Sequence, residues 1–144
     1  MVVKKLSIDE IPQLIKLYDE LMGDWARNET PISQKIYLDI VGNDDYLVLV
    51  AKDSEEIVGT AMGVCCKTLS FAGKNFLLIE DVIVAEGFKR KGVGRKLFEA
   101  LDNFAAEKNC AYAILVSSGF RKGAHAFYEK MGYVDDVKGF KKSY

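Results

Sequence analysis

The chain has 144 residues, 49% hydrophobic and 28% charged, with 20 basic and 21 acidic side chains and a formal net charge of −1. These values predict one globular domain over residues 1–144 that encloses a hydrophobic core. The near-neutral charge argues against nucleic acid as a partner, because binding to a phosphate backbone needs many cationic contacts. The three cysteines show neither a disulfide framework nor the spacing of a metal site. No signal peptide or membrane span is recognisable, so we expect a cytoplasmic protein with no metal and no membrane partner.

The pattern of apolar residues predicts seven strands and four helices. In chain order, the first half is expected to form strand, helix, helix, strand, strand, at 2–6, 11–23, 31–41, 46–52 and 57–67. The second half is expected to form strand, helix, strand, helix, strand, strand, at 76–84, 92–108, 111–116, 123–131, 133–137 and 140–143. Ser7 and Glu10 form a capping box before the first helix, and Pro31 suits the first turn of the second. The order predicts a compact α+β domain.

The most informative segment follows the predicted strand at 76–84. Two glycines at spacing two open the third helix, in the basic tract Lys89-Arg90-Lys91-Gly92-Val93-Gly94-Arg95. Glycine lets backbone N–H groups approach a ligand closely, and a helix N-terminus offers unpaired N–H donors and a partial positive charge. The tract therefore predicts a turn that binds a diphosphate. It is not a P-loop, because Gly94 is followed by Arg95, Lys96 and Leu97, with no hydroxyl to bind a metal. It is not a dinucleotide-binding turn, because Leu97 occupies the position of the third glycine.

The tract resembles the acyl-CoA loop of the GNAT superfamily of N-acetyltransferases, whose pattern is Arg/Gln-x-x-Gly-x-Gly/Ala after a strand. Lys89 stands where that family usually has Arg or Gln. A second match is Ala124-x-x-x-Tyr128 followed by Glu-Lys-Met-Gly-Tyr133, which resembles a later helix of the family, with Arg121 in place of a usual Asn. The resemblance covers residues 76–144 well and 1–75 in outline. The tail is similar to glucosamine-6-phosphate and aminoalkylphosphonate N-acetyltransferases.

The resemblance implies a three-layer α+β fold, in which a mixed, mostly antiparallel sheet of six to seven strands is flanked by about four helices. It implies acetyl-CoA as cosubstrate, with the pantetheine arm along Val82, Ile83 and Val84. The pyrophosphate and neighbouring groups are then expected to contact Lys89, Arg90, Lys91, Gly92, Val93, Gly94, Arg95 and Arg121. The acceptor is expected to be a primary amine of a small molecule. A protein N-terminus or lysine as acceptor, or a CoA-binding regulatory module without turnover, are the alternatives, and the oligomeric state is open, a homodimer included.

Glu80 is the candidate catalytic base. It lies in the otherwise apolar strand FLLIEDVIV, where a carboxylate is unfavourable unless it is paired or used. Asp81 is the alternative, and strand alternation would send the two side chains to opposite faces. Glu80 is preferred because regular alternation places it on the same face as Val82 and Val84.

Tyr128 is the candidate acid. A tyrosine titrates near pH 10 and a free thiol near about 8.5, so at neutral pH the tyrosine is protonated and can give its proton to a departing thiolate. The alternative is that Tyr128 packs in the core, since it shares a helical stripe with other apolar residues. His125 is expected to be a surface or supporting residue. The acceptor pocket is expected to include Tyr18, Trp25, Tyr37 and the loop at 66–76.

Overall fold

The computed structural model describes residues 1–23 and 29–144, apart from the side chain of Leu21. It consists of two compact units, residues 1–114 and 115–144. The elements of the first unit are β1 (Val2–Lys5), α1 (Ile11–Met22), α2 (Thr30–Val41), β2 (Tyr46–Asp53), β3 (Glu56–Cys66), β4 (Asn75–Val84), α3 (Val93–Glu107) and β5 (Cys110–Ile114). The second unit contains α4 (Lys122–Lys130). That the two units form a single domain stays a prediction.

A single mixed sheet organises the first unit. Its strands lie in the order β1-β2-β3-β4-β5. Neighbouring strands are antiparallel except for β4 and β5, which run parallel. The parallel pair is joined through α3, because a crossover between parallel strands needs a long connection. The predicted α+β architecture, mixed and mostly antiparallel, is therefore confirmed.

The predicted number of strands, six to seven, is wrong, since the described part of the chain contains five. Residues 133–137 and 140–143, expected as strands, have no strand structure. Their side chains Val134, Val137 and Phe140 are 71%, 64% and 91% exposed. Alternation of apolar and polar residues specifies a strand only where one face is buried. The large apolar residues of these two segments are not buried, so their pattern does not direct them into a sheet.

Helices cover both faces of the sheet in the first unit. The apolar face of α1 forms a buried cluster with Val50 of β2. On the opposite face, α3 packs closely over β3, and a Cβ built on Gly59 would lie only 2.7 Å from Val93 at the start of the helix. Glycine at this position therefore allows close packing between strand and helix. It also places the N-terminus of α3 beside the end of β4, because Gly59 pairs with Val84.

Glu10 links the start of α1 to the edge of the sheet. Its buried carboxylate accepts hydrogen bonds from the backbone N–H of Ser7 at 3.1 Å and from Lys4 Nζ at 2.8 Å, and it lies 3.1 Å from Lys52 Nζ of β2. Burial raises the pKa of Glu10, but the hydrogen bonds from Lys4, Ser7 and Lys52 outweigh burial and hold the pKa at about 2. The predicted capping role of Glu10 at Ser7 is confirmed.

Candidate functional site

Strand β4 contains a β-bulge in its second half. Thr60 of β3 pairs with Ile83, and Met62 pairs with Glu80. Between these two pairs, β3 has one residue and β4 has two. Asp81 lies within the extra step and has a φ of 54°, in the left-handed region that non-glycine residues rarely adopt. An extra residue of this kind bends a strand and redirects its side chains. The two acidic residues of β4 therefore lie at an irregularity of the sheet.

The bulge contradicts the alternation expected for this strand. Thr60 and Met62 are two residues apart on β3, so their partners Ile83 and Glu80 share a face of the sheet. Val84 pairs with Gly59, whose Cβ position points at α3, on the other face. The prediction that Glu80 shares a face with Val82 and Val84 is therefore wrong. The physical reason is the one extra residue, which inverts the alternation beyond Asp81.

The two carboxylates occupy a partly desolvated environment. Glu80 is half-buried, and burial, followed by the charge of Asp81, raises its pKa. Asp81 keeps more than a third of its surface exposed, yet neighbouring atoms desolvate its carboxylate and raise the pKa of that group too. Within the described residues, neither carboxylate takes part in an ion pair. The pKa of each carboxyl group is thus raised toward neutral pH.

Tyr18 of α1 is affected by the charge of Asp81. Its half-buried ring packs against the buried cluster that α1 forms with the sheet, as does Ile83 of β4. Burial and then the charge of Asp81 raise the pKa of Tyr18 well above its usual range, while a hydrogen bond with the side chain of Thr60 opposes the rise. The sequence analysis predicts Tyr18 only as a lining residue of the acceptor pocket. Thr60 was missed, although a threonine within the apolar run Ile57-Val-Gly-Thr-Ala-Met is a visible signal of a buried polar group.

The other residues expected around the acceptor are placed differently. The Tyr37 hydroxyl donates a hydrogen bond to the carbonyl of Leu6 at 3.0 Å, which fixes α2 against the sheet. Trp25 lies outside the described residues. In the loop at 66–76, Phe71 lies 5.3 Å from the ring of Tyr112, which stacks on Phe76 at the same centroid distance.

The second half of β4 has an open edge within the first unit. Strand β5 pairs with β4 only as far as Leu78 and Ile114. Residues 79–84, which include Val82 and Ile83, therefore have β3 on one side and, among the described residues of this unit, no strand on the other. Backbone N–H and C=O groups in such a position can bind an extended ligand, in the way that an exposed strand edge binds a peptide.

The open edge leads directly into the glycine turn. Gly92, with a φ of 83°, precedes the first residue of α3, and a Cβ built on it would meet no atom within 4 Å. Arg90 also has a positive φ, of 61°. The first N–H groups of a helix have no partner within the helix. The turn thus offers an uncovered surface of backbone donors at the positive end of a 15-residue helix.

Basic side chains surround this turn and are exposed. Lys89 forms an ion pair with Glu86, and the ammonium of Lys91 lies 4.9 Å from the centre of the Phe88 ring. Arg95 follows on the first turn of α3 and is also exposed. The arrangement of open backbone, helix N-terminus and cations fits the diphosphate of an acyl-CoA.

The second unit contains the remaining predicted residues. Arg121 precedes α4, and its backbone carbonyl accepts hydrogen bonds from the N–H groups of Ala124 and His125. Tyr128 is half-buried, and its ring lies 6.3 Å from that of Tyr133. Burial raises the pKa of Tyr128, while the charge of Arg121 lowers it. His125 Nε2 lies 3.0 Å from the carbonyl oxygen of Ser118, a contact that supports the loop before α4.

Among the described residues, no three His, Cys, Asp or Glu side chains are grouped so that they could hold a metal ion. In the same part of the chain, no helix has the length and apolar character needed to cross a membrane.

Comparisons with known proteins agree with the fold and with the resemblance. The sequence model of the acetyltransferase (GNAT) family matches residues 14–133. Streptothricin acetyltransferase of Streptomyces lavendulae is 27% identical over 124 residues, which cover 79% of this chain and 66%, just under two thirds, of that relative. A putative acetyltransferase from Agrobacterium tumefaciens has the same fold, with a TM-score of 0.92, 23% identity and full coverage of both chains. Glucosamine-6-phosphate N-acetyltransferase from Arabidopsis thaliana gives a TM-score of 0.83 at 24% identity, covering 99% of this chain and 97% of the other.

Proposed function

The chain belongs to the acetyltransferase (GNAT) family, and on this premise we propose that it transfers the acetyl group of acetyl-CoA to a primary amine of a small molecule. One observation carries the proposal. A single continuous segment, from β4 through the turn into α3, presents an open strand edge, a bulge with two carboxylates and an uncovered basic helix N-terminus. These are the features that an extended thioester with a diphosphate and a protonated acceptor require.

The cosubstrate is proposed to lie along this segment. Backbone N–H groups at the start of α3, with Lys89, Arg90, Lys91 and Arg95, hold the diphosphate through hydrogen bonds and charge. The pantetheine arm runs along the open edge at Val82, Ile83 and Val84, where its amides pair with the strand. Gly92, Val93 and Gly94 keep the turn close to the ligand, and Arg121 supplies a further cation. Bound in this way, acetyl-CoA contributes an activated acetyl thioester.

The protein's residues supply the proton transfers. An amine is protonated near neutral pH and must lose a proton before it can act as a nucleophile. Glu80 is proposed as the base, because burial and the neighbouring negative charge move its pKa toward the working range, which favours general-base catalysis. Tyr128 is proposed as the acid that protonates the leaving thiolate. A backbone N–H near Val82 facing the thioester oxygen would stabilise developing negative charge, a contribution of about 3–4 kcal/mol in other enzymes.

The acceptor is proposed to be a small molecule, on two grounds. The relatives named above include enzymes for streptothricin and for glucosamine-6-phosphate. The carboxylates of Glu80 and Asp81 also attract a cationic amine to the bulge. A cytoplasmic location and the use of acetyl-CoA are part of the same proposal.

The test is calorimetric titration with acetyl-CoA, followed by thiol release measured across a panel of amines. The panel contains alkylamines, amino sugars, peptides with a free N-terminus and peptides with one lysine. Binding together with thiol release that depends on a small amine supports the proposal. Release with peptides alone would indicate a protein acceptor, and binding without release on any amine would indicate a regulatory module. A protein that binds no acetyl-CoA would contradict the proposed cosubstrate.

A matched pair of glycine variants tests the phosphate site. Gly92→Asp places a carboxylate against the diphosphate, so we expect acetyl-CoA binding to be abolished in calorimetry. Gly73→Asp is the control, because Gly73 has a similar φ of 85° and its Cβ position also meets no atom within 4 Å, but it lies in the β3–β4 loop. The same backbone strain is then introduced away from the turn. Unchanged affinity in Gly92→Asp, or an equal loss in both variants, would contradict the placement of the diphosphate.

A further inference from the structure

The face of the sheet that α1 covers is buried at one end and half-exposed at the other. Val50, which packs in the cluster with α1, and its partner Thr60 have none of their surface exposed. The next residues of β3 on that face are only half-buried: Met62, Val64 and Cys66. Between them, Gly63 faces the other way, and its Cβ position lies 2.8 Å from Leu101 of α3. Burial therefore stays complete on the α3 side and falls off beyond Thr60 on the α1 side.

Strand β4 extends this half-exposed surface. Val64 pairs with Leu78 and Cys66 pairs with Phe76, so both side chains of β4 share the face, and both are half-buried. Side chains that are apolar on both faces are typical of a sheet that is covered on both faces. We call this surface the apolar face, which consists of Met62, Val64, Cys66, Phe76, Leu78 and Tyr112. Its composition indicates that something covers it when the protein works.

Aromatic rings form one end of the apolar face. Tyr112 of β5 pairs with Phe76, and the two rings are stacked, with 5.3 Å between centroids and 4° between planes. Phe71, from the loop before β4, lies 5.3 Å from the other partner, Tyr112, at an angle of 57°. The Tyr112 and Phe71 side chains are 41% and 46% exposed. A further flat ring can join such a group by stacking or by an edge contact.

A carboxylate stands at the other end of the apolar face. Glu80 pairs with Met62, so it lies on the same face as Leu78 and Phe76. Glu80 and Phe76 are four residues apart, a distance of about 13 Å along an extended strand. Within the described residues, no cationic side chain forms an ion pair with Glu80. A second copy of the chain packed here would bury this carboxylate against apolar atoms, which is unfavourable without a cation. The face is complemented instead by a molecule with a cation at one end and an apolar body.

We propose that the acceptor is a primary amine carrying a flat apolar group, and that this group lies on the apolar face against Tyr112 and Phe71 while the nitrogen lies at Glu80. This inference rests on the proposed function and deepens it by naming the substrate class. A linker of several methylenes between ring and nitrogen is needed to span the face. Amino sugars should be poorer acceptors, because their hydroxyl groups would lose hydrogen bonds to water over apolar side chains.

The first experiment compares amines on the wild-type protein. The series is 2-phenylethylamine, 3-phenylpropylamine and 4-phenylbutylamine, with ethanolamine and glucosamine as polar acceptors. We expect kcat/KM to rise about two- to fourfold for each added methylene, since burial of one methylene corresponds to about fourfold. The KM for acetyl-CoA should be the same with every amine. An efficiency that is flat across the phenylalkylamines, or that is highest for glucosamine, would overturn the proposal.

The second experiment locates the ring. In Tyr112→Ala and in Phe71→Ala, we expect the KM for 4-phenylbutylamine to rise about tenfold, as for loss of an aromatic contact and the area that it buries. The KM for ethanolamine should not change, because that amine is too short to reach these rings. Tyr112→Phe keeps the ring and should behave as the wild type. Val2→Ala is the control, because Val2 is 62% exposed on β1, at the opposite edge of the sheet from β5. A loss of equal size for both amines would indicate a packing defect and contradict the placement of the ring.

The outcomes separate this inference from the function on which it rests. If the wild type acetylates polar and phenylalkyl amines equally well, the inference is wrong and the function stands. Sedimentation tests the other occupant of the face. A wild-type dimer that Tyr112→Asp dissociates, together with no preference for phenylalkylamines, would assign the apolar face to a second copy and refute the inference. If the wild type acetylates no amine, the proposed function fails, and the inference fails with it.

Discussion

The assignment of Glu80, rather than Asp81, as the catalytic base makes a prediction that a pair of isosteric variants can test. Glu80→Gln and Asp81→Asn each remove one charge and keep the shape of the side chain. Asn tolerates the left-handed conformation at position 81, so the bulge is retained. If Glu80 is the base, Glu80→Gln should lower kcat by about 10²–10⁴-fold, the usual contribution of general-base catalysis.

The pH dependence gives the sign of each effect. A base works in its ionised form, so activity falls as the pH drops through its pKa. The pKa of Glu80 is raised above its usual 4.5 by burial and by the charge of Asp81. The acidic limb of the wild-type pH profile should therefore lie at a higher pH than an unperturbed glutamate would give. Asp81→Asn removes the neighbouring charge, so its acidic limb should move to lower pH. Glu80→Gln should have no acidic limb from this group.

The assay is kcat measured from pH 5 to 9 with saturating acetyl-CoA and amine. Asp102→Asn serves as the charge control, because Asp102 lies on the exposed face of α3 and its pKa is also raised by burial. An acidic limb that persists in Glu80→Gln and disappears in Asp81→Asn would refute the assignment and make Asp81 the base. Profiles that coincide in all three variants and the wild type would exclude both carboxylates.

Three further outcomes are expected. Tyr128→Phe should lower kcat with acetyl-CoA affinity nearly intact in calorimetry; an unchanged kcat would leave the ring with a packing role. Glu10→Gln should lower the free energy of unfolding by about 2–3 kcal/mol at pH 7 in urea titrations. The pKa of Glu10 in the folded protein is about 2, below its usual 4.5, so the loss of stability should shrink as the pH falls from 4.5 toward 2. A loss that stays the same over this pH range would contradict the role of the Glu10 carboxylate. Gly59→Ala should destabilise the fold by about 1–3 kcal/mol through overlap with Val93, whereas Gly42→Ala, with an open Cβ position, should not.

The sequence predicts most of the helices and strands in the described residues up to 131, because their local patterns match the elements observed there. The third helix, expected at 92–108, is observed as Val93–Glu107, since its apolar stripe packs on the sheet and Gly92 marks its start. The same pattern reasoning fails for 133–137 and 140–143. Short apolar alternation there resembles that of real strands, but whether such a segment is buried depends on contacts that its own residues do not specify.

The glycine turn can be recognised from the sequence, and the bulge of β4 cannot. The glycine turn is recognisable because its backbone requirement selects residue types directly, and Gly92 has the positive φ that such a turn needs. The bulge is not recognisable, because an inserted residue leaves no periodic signal and Asp81 is compatible with an ordinary strand. A shift of one residue exchanges the two faces of a strand. This shift of one residue is why Glu80 lies on the same face of the sheet as Ile83 rather than on that of Val82 and Val84.

The bulge also bears on the proposed function, in which one strand contacts both the acceptor and the cosubstrate. In a regular strand, Glu80 would lie on one face and Asp81 on the other, and a donor bound from one side could reach only one of them. The left-handed conformation at Asp81 interrupts that alternation, while Glu80 keeps its pairing with Met62. Both carboxylates are then held where desolvation disfavours their ionised forms, an arrangement that opposes folding at neutral pH. In the proposed function, an ammonium bound at the bulge would offset that penalty, and the strand edge beyond the bulge would remain available to the thioester.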